Sequence, residues 1–332
     1  MVSYYKRGLA LILALLIFSL LLSCDKLPSE EDDDAPEIDG FSVHYLDVGQ
    51  GDCSLIRFSD GVVLVIDTGD RNSKTYGEIK SFFKRYGVDK IDYLMITHPD
   101  SDHVGNAINL LSDFTVDNVF IPYLYPSLIG QFPYYQEAYE IIKEKSVKIN
   151  YSDSFDYIKG EDYSVALLSP YPAGIIGSAY DKVNGQPIPE DRDVNDLSPI
   201  VYIESRGHRF VFTGDAGYSQ ERIVINDYQS GVYDRYFSKF GIDVNLDGVD
   251  FLKLAHHGAD GSSGIDFLSL LMPKNAVISV GGDNYYGHPS SETLLRLYAI
   301  NPDCMEYRTS VCGWISVQIV DEKIRINTQR SF

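Results

Sequence analysis

The sequence predicts an α/β fold in which a parallel or mixed sheet is covered by helices. Short runs of β-branched and aromatic residues alternate with segments whose apolar side chains recur at helical spacing. The run at residues 91–97 is mainly apolar, as expected for a strand that helices bury on both faces. A chain of 332 residues can form one large α/β domain or two small ones, and either can bury a real core.

A meander of strands opens the folded part of the chain. Residues 41–46, 53–58 and 62–66 are strand-like runs separated by turns that contain Gly and Asp. A helix follows, because apolar side chains recur at helical spacing and Gly87 ends the pattern. These side chains are Tyr76, Ile79, Phe82, Phe83 and Tyr86. The strand at residues 91–97 comes next.

The second half of the chain also contains strand-like and helix-like segments. The predicted elements are a hairpin at residues 200–204 and 209–213, strands at 251–255 and 276–280, a helix at 291–300, and a closing hairpin at 314–320 and 323–327. Residues 122–195 are rich in Tyr, Pro and Gly, with one predicted helix near residues 135–145. We interpret this stretch partly as a large insertion beside the functional site, and its tyrosines as packing residues.

The first 23 residues have the pattern of a secretory signal. Lys6 and Arg7 precede an apolar run at residues 9–22, which is shorter than the roughly 20 residues that span a bilayer. The residues before Cys24 resemble a bacterial lipobox, in which the cysteine is lipidated and becomes the N-terminus. A plain transmembrane anchor or an ordinary signal peptide is the alternative. We therefore predict a protein of the bacterial cell envelope, held to a membrane by lipid on Cys24 at the periplasmic or extracellular face.

An acidic segment follows Cys24. Residues 25–39 contain eight acidic side chains and one basic one, Lys26, so residues 24–40 are predicted to be a self-repelling tether. The folded domain is predicted at residues 41–328. The formal net charge of −20 argues against a protein whose main task is to grip nucleic acid electrostatically, although it leaves room for a local anion site.

Three further cysteines are present besides Cys24. Cys304 and Cys312 could form a disulfide in an oxidising compartment. The alternative is that Cys53, Cys304 and Cys312 are all buried small hydrophobic residues.

The histidines are concentrated in loops that follow apolar strands. Five of the seven have Asp, Gly or a second His beside them: His98, His103, His256, His257 and His288. His44 lies within a strand and His208 in a turn, so we assign both to structural or solvated roles.

The loop at residues 98–103 contains four potential metal ligands. These four side chains cannot all face one ion, but His98 and Asp100 can face one while Asp102 and His103 face a second. Two ions about 3.5–4 Å apart are typical of hydrolytic sites. A solvated acidic loop whose Asp residues cap a helix is the alternative.

Six motifs, in this order, resemble those of the metallo-β-lactamase-fold hydrolases. They are Asp47-Val-Gly-Gln-Gly-Asp52, Asp67-Thr-Gly69, His98 to His103 with the following Val-Gly-Asn, Thr213-Gly-Asp215, His256-His-Gly258 and Gly287-His-Pro289. The chain resembles above all the ComEC-type branch, named for the extracellular domain of a DNA-uptake channel. The match runs from about residue 41 to residue 327, and the ordered set is specific. We expect a stand-alone lipoprotein with this domain.

The resemblance implies a four-layered αββα sandwich with metals at one edge, between the two sheets. It implies that His98 and Asp100 bind a first metal, that Asp102 and His103 bind a second, and that Asp215 bridges both. One histidine of the pair His256 and His257 would complete the second site, with His257 slightly favoured. Asp47, Asp52 and Asp67 would be supporting carboxylates that orient the loop and its histidines.

The chain departs from the wider fold at the first metal. Zinc-dependent β-lactamases have His where this chain has Asp100, and they carry a further His that is absent here between His103 and His208. Asn195, or a water, would fill that position. We expect the first metal to bind more weakly than the second.

Charge then constrains the chemistry. Two divalent ions and the carboxylates of Asp100, Asp102 and Asp215 leave one positive charge, which a bound hydroxide neutralises. Such a centre can hold a phosphodiester oxygen and supply the nucleophile, and its oxygen-rich ligands let Mn²⁺ compete with Zn²⁺. His288, in a Gly-His-Pro turn, is placed to bind the substrate phosphate or to protonate the leaving group.

The predicted function is hydrolysis of a phosphodiester, with Asp102, His288 and Asn195 as candidate catalytic residues. The substrate would be small or oligomeric, nucleic acid is included, and no protein partner is inferred. The alternatives are a lactam, lactone or thioester hydrolase of the same fold and a non-catalytic surface binding protein.

Overall fold

The structure, a computed structural model, describes residues 40–124, 126–152, 155–170 and 194–331. The predicted signal, Cys24 and all of the predicted tether except Gly40 lie outside the described residues. Residues 171–193, within the predicted insertion, also lie outside them.

The described strands and helices alternate along the chain. The strands are β1 (Ser42–Tyr45), β2 (Ser54–Arg57), β3 (Val63–Ile66), β4 (Lys90–Met95), β5 (Thr115–Ile121), β6 (Lys148–Tyr151), β7 (Tyr157–Lys159), β8 (Tyr163–Leu167), β9 (Val201–Ser205), β10 (His208–Phe212), β11 (Phe251–Lys253), β12 (Asn275–Ile278), β13 (Met305–Arg308), β14 (Ile315–Val320) and β15 (Lys323–Thr328). The α-helices are α1 (Ser73–Arg85), α2 (Ser101–Val104), α3 (Ala107–Asp113), α4 (Pro126–Ile129), α5 (Pro133–Glu144), α6 (Tyr218–Gln229), α7 (Val232–Phe237), α8 (Ile265–Leu271), α9 (Ser291–Ile300) and α10 (Thr309–Cys312). Short 3-10 turns lie at Val194–Leu197, Ser238–Phe240 and Ala255–Gly258.

The described strands form two mixed sheets. The first sheet has eight strands in the order β15-β14-β1-β2-β3-β4-β5-β6, and the second has seven in the order β13-β12-β11-β10-β9-β8-β7. Strands β3 to β6 are mutually parallel, as are β10 to β13, and the remaining neighbours are antiparallel. The predicted mixed sheet is confirmed.

Aromatic rings fill the space between the two sheets. Phe41 precedes β1 and lies 5.3 Å, between ring centroids, from Phe210 of β10. Tyr45 at the end of β1 stacks on Phe212 at 5.5 Å. These rings are almost completely buried, and burial of so much apolar area favours face-to-face packing of the sheets.

Helices cover the outer faces. On the first sheet, helix α1 buries Ile79 and Phe83 in the same core as residues of α3 and α5. On the second sheet, Val224 of α6 and Phe267 of α8 lie in a separate core. The predicted four-layered αββα sandwich is therefore confirmed.

Local chemistry sets the ends of α1. The side chain of Asn72 accepts hydrogen bonds from the amides of Lys74 and Thr75, which would otherwise lack partners at the helix start. Lys84 and Arg85 occupy the last turn, where positive charge is favourable. His44 lies on the face of β1 below this helix, 4.2 Å from the Tyr86 ring, and burial lowers its pKa to about 3. Its structural role agrees with the sequence analysis.

The described part of residues 122–195, a stretch interpreted partly as an insertion, contributes strands to both sheets. Strand β6 is the edge of the first sheet, and β7 and β8 belong to the second. Every residue of β8 is buried, so this segment is core rather than addition. Of the tyrosines in this stretch, Tyr135 and Tyr163 are buried, which agrees with their assignment as packing residues.

The cysteines of the described region are not joined. Cys53, Cys304 and Cys312 are buried and unpaired, as the second of the two interpretations expects. A membrane-crossing helix, sufficiently long and apolar, is not found in the described ranges.

Strand direction places the site. Asp67 follows β3, His98 follows β4, Asp215 follows β10 and His256 follows β11. Because the carboxyl ends of parallel neighbours meet at one edge of a sheet, these loops converge at one end of the sandwich.

Candidate metal centre

The loop after β4 turns directly into a helix. Asp100 is the N-cap of α2, and its carbonyl accepts hydrogen bonds from the amides of His103 and Val104. The helix therefore begins at Ser101. Its turn buries His103 completely and leaves Asp102 partly exposed, so both can face the same space.

Asp215 lies at the centre of a group of imidazoles. Its Oδ1 is 3.3 Å from Nε2 of His103, and its Oδ2 is 3.9 Å from Nε2 of His98. The same Oδ2 is 3.6 Å from Nε2 of His257. A carboxylate with histidines on both oxygens has the geometry expected of a bridging ligand.

The second-metal side of this centre consists of Asp102, His103 and His257. Oδ2 of Asp102 is 3.2 Å from Nε2 of His257 and 3.9 Å from Nε2 of His103. One donor atom from each of these residues lies within 4.8 Å of the others. The structure thus brings His257, rather than His256, together with the residues predicted for the second metal.

The first-metal side is less complete. Donor atoms of His98, His103 and Asp215 lie within 4.8 Å of one another, so His103 belongs to both sides. Asp100 is 3.6 Å from Nε2 of His98, but its side chain is 40% exposed and it is not in that group. His98 thus lies beside Asp100 and His103 beside Asp102, as in the predicted pairs, while His103 also belongs to the first group.

Hydrogen bonds behind the histidines fix their orientation. Nδ1 of His103 is 2.8 Å from Oδ2 of Asp67, and Nδ1 of His257 is 2.8 Å from the carbonyl of Ser279. Since the carbonyl can only accept, Nδ1 of His257 carries a proton, and Nε2 is the nitrogen that faces the centre. Asp67 is itself held by the amide and hydroxyl of Thr97 at 2.8 Å each.

The inward-facing atoms fit a bound cation. Nε2 of His98, His103 and His257 and Oδ1 of Asp215 are buried without a hydrogen-bond partner among the described residues. An unsatisfied buried polar atom costs about 1–3 kcal/mol, whereas a divalent ion would accept these lone pairs. Imidazole nitrogen with carboxylate oxygen is a donor set suited to Zn²⁺ or Mn²⁺.

The histidines of the centre differ in pKa. Burial and the neighbouring His103 lower the pKa of His98 to about 3, so His98 is neutral. Burial opposes protonation of His257 as well, but Asp215, Asp102 and Asp52 outweigh it and raise the pKa of His257 to about 9. For Asp215, burial opposes ionisation, yet His103 and His257 hold its pKa well below the usual value.

The sequence analysis missed Lys253. This lysine at the end of β11 is buried and forms an ion pair with Asp52. Oδ1 of Asp52 is 3.5 Å from Nδ1 of His257, and the Asp52 amide donates to the carbonyl of Asp102. Asp52 is thus a supporting carboxylate, as predicted, whose charge Lys253 offsets. A lysine in an otherwise apolar strand, three residues before His256, was the available signal.

Asp47 contacts other residues than the histidines of the centre. Its Oδ2 is 2.7 Å from Nη2 of Arg330, and its Oδ1 accepts a 3.4 Å hydrogen bond from the Gly49 amide. Neither contact reaches a histidine. Asp47 steadies its own loop, and the prediction that it orients the histidines is not supported; Asp67 and Asp52 make those contacts.

The Asn195 stretch reaches the centre through a different residue. Oγ of Ser198 is 3.3 Å from Nδ1 of His98 and accepts a hydrogen bond from the Asp215 amide. Asn195 lies in the 3-10 turn before it, and its backbone carbonyl accepts from the Ser198 amide. Ser198, which was not among the predicted site residues, contacts His98 from this stretch.

His256 and His288 line the exposed side of the centre. Nε2 of His256 is 3.7 Å from Oδ2 of Asp215, and the His256 side chain is 36% exposed. Its φ of 50° and the 55° of His257 lie in the left-handed region, where a non-glycine residue is strained. The His288 ring lies 5.6 Å from that of His256. A substrate that approaches from solvent meets these two histidines.

Comparison with known proteins agrees with this site. A family model described as "Metallo-beta-lactamase superfamily" matches residues 46–282. ComE operon protein 3 of Bacillus subtilis is 29% identical over 268 residues, which cover 76% of this chain and 30% of that protein. Competence protein ComA of Neisseria gonorrhoeae is 24% identical over 258 residues, covering 78% of this chain and 30% of that protein. The chain thus spans under a third of the length of these curated relatives.

Solved structures are similar at lower identity. Igni18, described as a novel metallo hydrolase from the archaeon Ignicoccus hospitalis, is 14% identical with a TM-score of 0.44, covering 88% of this chain and 100% of that one. The predicted ComEC-type relationship is confirmed at modest sequence identity. Since the family model matches well over half of its residues, the chain belongs to the metallo-beta-lactamase superfamily.

Proposed function

We propose that this protein is a phosphodiesterase that depends on divalent metal ions. The observation that carries the proposal is the position of Asp215, whose oxygens lie 3.3–3.9 Å from Nε2 atoms of His98, His103 and His257. When bound, the ions would supply an activated water and positive charge for a phosphate oxygen. The carboxylates of Asp102 and Asp215 and the imidazoles around them would hold the ions.

Charge balance favours an anionic substrate. Lys253 offsets the charge of Asp52, and the predicted ligands Asp100, Asp102 and Asp215 contribute three negative charges to the centre. Two divalent cations would exceed this negative charge by one. An anionic diester can therefore approach the loaded centre, whereas the empty carboxylate cluster would repel it.

His288 is suited to positioning the phosphate. Burial, with His256 and His257 nearby, lowers the pKa of His288, so the imidazole is neutral at pH 7. A neutral imidazole donates one N–H to a phosphate oxygen. This supports phosphate binding over proton donation to the leaving group, the two roles that the sequence left open.

A short diester is favoured over a long duplex. The formal charge of −20 opposes long-range approach of a polyanion, although screening beyond about 8 Å limits this penalty in physiological salt. Single-stranded DNA stays among the substrates to be tested, since two relatives are named for a competence operon or competence itself.

We also propose that the protein is anchored in the bacterial cell envelope by lipid on Cys24. The basic start, the short apolar run and the acidic segment after Cys24 support this proposal. A fatty-acid analogue fed to cells should label the wild type and leave Cys24→Ala unlabelled. Equal labelling of the variant, or a mature N-terminus at another residue, would disprove the anchor.

A substrate comparison tests the activity. Bis(p-nitrophenyl) phosphate, single-stranded DNA and a chromogenic cephalosporin would be assayed in parallel with Mn²⁺ or Zn²⁺. We expect turnover of a phosphodiester by the wild type and by Asp117→Ala, which alters an exposed carboxylate on β5, and its loss in Asp102→Ala. Turnover of the cephalosporin alone would instead support a lactam hydrolase. Diester activity that survives in Asp102→Ala would contradict the proposal.

A further inference from the structure

A short loop beside the metal centre is held by polar contacts. Residues 281–287, called here the tyrosine loop, begin where the Gly281 amide donates to Oε1 of Gln50. The side-chain amide of Asn284 donates to the carbonyls of Gly281 and His288 at 2.8 and 2.9 Å. Its Oδ1 accepts from the His288 amide at 2.9 Å. These bonds fix the loop without burying its side chains.

Two aromatic rings project from this fixed loop. Tyr285 is fully exposed, and Tyr286 is 73% exposed. The Tyr286 ring stacks on the His288 ring with centroids 5.8 Å apart and planes 11° from parallel. Since most of Tyr286 is exposed, the ring face opposite His288 is open to solvent. A tyrosine so exposed gives the fold almost no burial energy.

Tyr286 also lies within reach of the proposed reaction. Its partner His288 is 5.6 Å from the His256 ring, and Nε2 of His256 is 3.7 Å from the central carboxylate of Asp215. The ring is thus separated from the centre by two histidines. A substrate whose phosphate lies at the centre and that extends past these two histidines can therefore reach the Tyr286 ring.

We propose that Tyr286 is the stacking platform for an aromatic ring on the group that stays attached to the phosphate when the diester is cleaved. The inference rests on the proposed phosphodiesterase function and narrows its substrate class to ring-bearing diesters, such as those of a nucleoside. Aromatic side chains stack on every base, so the platform selects for a ring and tolerates any sequence. His288 fixes the Tyr286 ring from behind, which lowers the entropy cost of stacking.

The charge of the tyrosine loop supports recognition by stacking. In sequence it contains Asp283 and no Lys or Arg. The loop therefore offers no cation that could bind a second phosphate. The exposed Tyr286 ring is the group with which it can bind a substrate. A mononucleotide ester or a short single strand fits this surface better than the phosphate backbone of a duplex.

Two esters with the same leaving group test the platform on the metal-loaded full chain. Thymidine 5′-(p-nitrophenyl phosphate) carries a base next to the scissile phosphate, and methyl p-nitrophenyl phosphate does not. Any stacking of the shared leaving group cancels in the ratio of their kcat/KM values. We expect Tyr286→Ala to lower kcat/KM for the thymidine ester about tenfold, mainly through KM, and to leave the methyl ester unchanged.

Two further variants control for structure. Tyr286→Phe keeps the ring and should retain the wild-type preference for the thymidine ester. Tyr157→Ala removes a 38% exposed tyrosine from β7, away from the tyrosine loop, and should change neither ester. An equal loss for both esters in Tyr286→Ala, or an unchanged ratio, would overturn the platform while the phosphodiesterase activity stands.

If neither ester is hydrolysed, a binding measurement tests the stacking platform. That result would contradict the proposed function, and calorimetry with thymidine 5′-monophosphate and methyl phosphate would then test the platform separately. About tenfold weaker binding of the nucleotide by Tyr286→Ala, with methyl phosphate unaffected, would support it. Equal affinities of the wild type and the variant for the nucleotide would disprove it.

Discussion

The two sides of the candidate metal centre differ in the burial and support of their ligands. On the second-metal side, His103 and His257 are buried, and each has its Nδ1 held at 2.8 Å by Asp67 or by the Ser279 carbonyl. On the first-metal side, His98 is buried but Asp100 is 40% exposed. Ligands that are fixed before binding lose less entropy, so the second side should bind its ion more tightly.

The difference also shows how this chain departs from the zinc-dependent β-lactamases that it resembles. The resemblance places Asp100 where those enzymes have His, and Ser198 contacts His98 from the Asn195 stretch. The Asp67 and Asp52 supports both serve the second side. Four experiments test this difference between the two sides.

The largest effect is expected from Asp215→Ala. Asp215 lies between the histidines of both sides, so its removal should lower the occupancy of both ions. The loss of affinity should exceed the roughly 10–100-fold that follows from loss of a supporting residue. Elemental analysis of the dialysed protein measures it, with Asp117→Ala as the control. Wild-type metal content in Asp215→Ala would remove Asp215 from the centre.

Removal of one histidine at a time should separate the two sides. His257→Ala should empty mainly the second side, and His98→Ala mainly the first, so each variant should keep one ion. His103→Ala should empty the second side and also weaken the first, because His103 belongs to both donor groups. Titration of metal-free protein with Mn²⁺ by calorimetry distinguishes these cases. Identical losses in all three variants would contradict two sides of unequal affinity.

Acid should weaken the second side more than the first. The pKa of metal-free His257 is about 9, so an ion must displace its proton, and affinity should rise about tenfold per pH unit up to that value. His98, with a pKa of about 3, is already neutral between pH 6 and 8. The first side therefore depends on pH only through the shared His103, in which burial opposes protonation but Asp215 and Asp67 raise the pKa well above its usual value. Metal titrations at pH 6 and pH 8 measure both slopes. A steeper slope on the side that His98→Ala removes would reverse the assignment.

The smallest effect is expected from substitution of a residue that supports a metal ligand. Asp67→Asn should weaken binding on the second side by roughly 10–100-fold, since Asp67 holds Nδ1 of His103. Asp47→Asn is the matched control, because Asp47 pairs with Arg330 and contacts no histidine. Binding isotherms of the two variants give the comparison. Equal weakening by both would show that Asp47 does support the centre.

Much of this centre could be predicted from sequence because the ligands occur in short motifs after strands. The loop with His98 and His103 and the stretch before Asp215 are recognisable by residue type and order alone. The supporting contacts could not be predicted, since Lys253 and Ser198 meet Asp52 and His98 only after loops far apart in the chain converge. A local sequence pattern does not encode a contact between residues that lie so far apart in the chain.

Composition misled the fold prediction in one region. The Tyr- and Pro-rich character of residues 122–195 suggested an insertion, yet β8 at Tyr163–Leu167 is a fully buried strand of the second sheet. Its five residues are too few to show a period, and Tyr and Ser among them hide its burial. Helix α6 was also missed, because polar and charged residues occupy much of its sequence.

Anomalous diffraction from crystals grown with Mn²⁺ would locate the bound ions. We predict a strong peak among the side chains of Asp102, His103, Asp215 and His257, and a weaker second peak beside His98 and Asp215. No anomalous peak at these residues, with Mn²⁺ in excess, would contradict the assignment of this cluster as a metal centre.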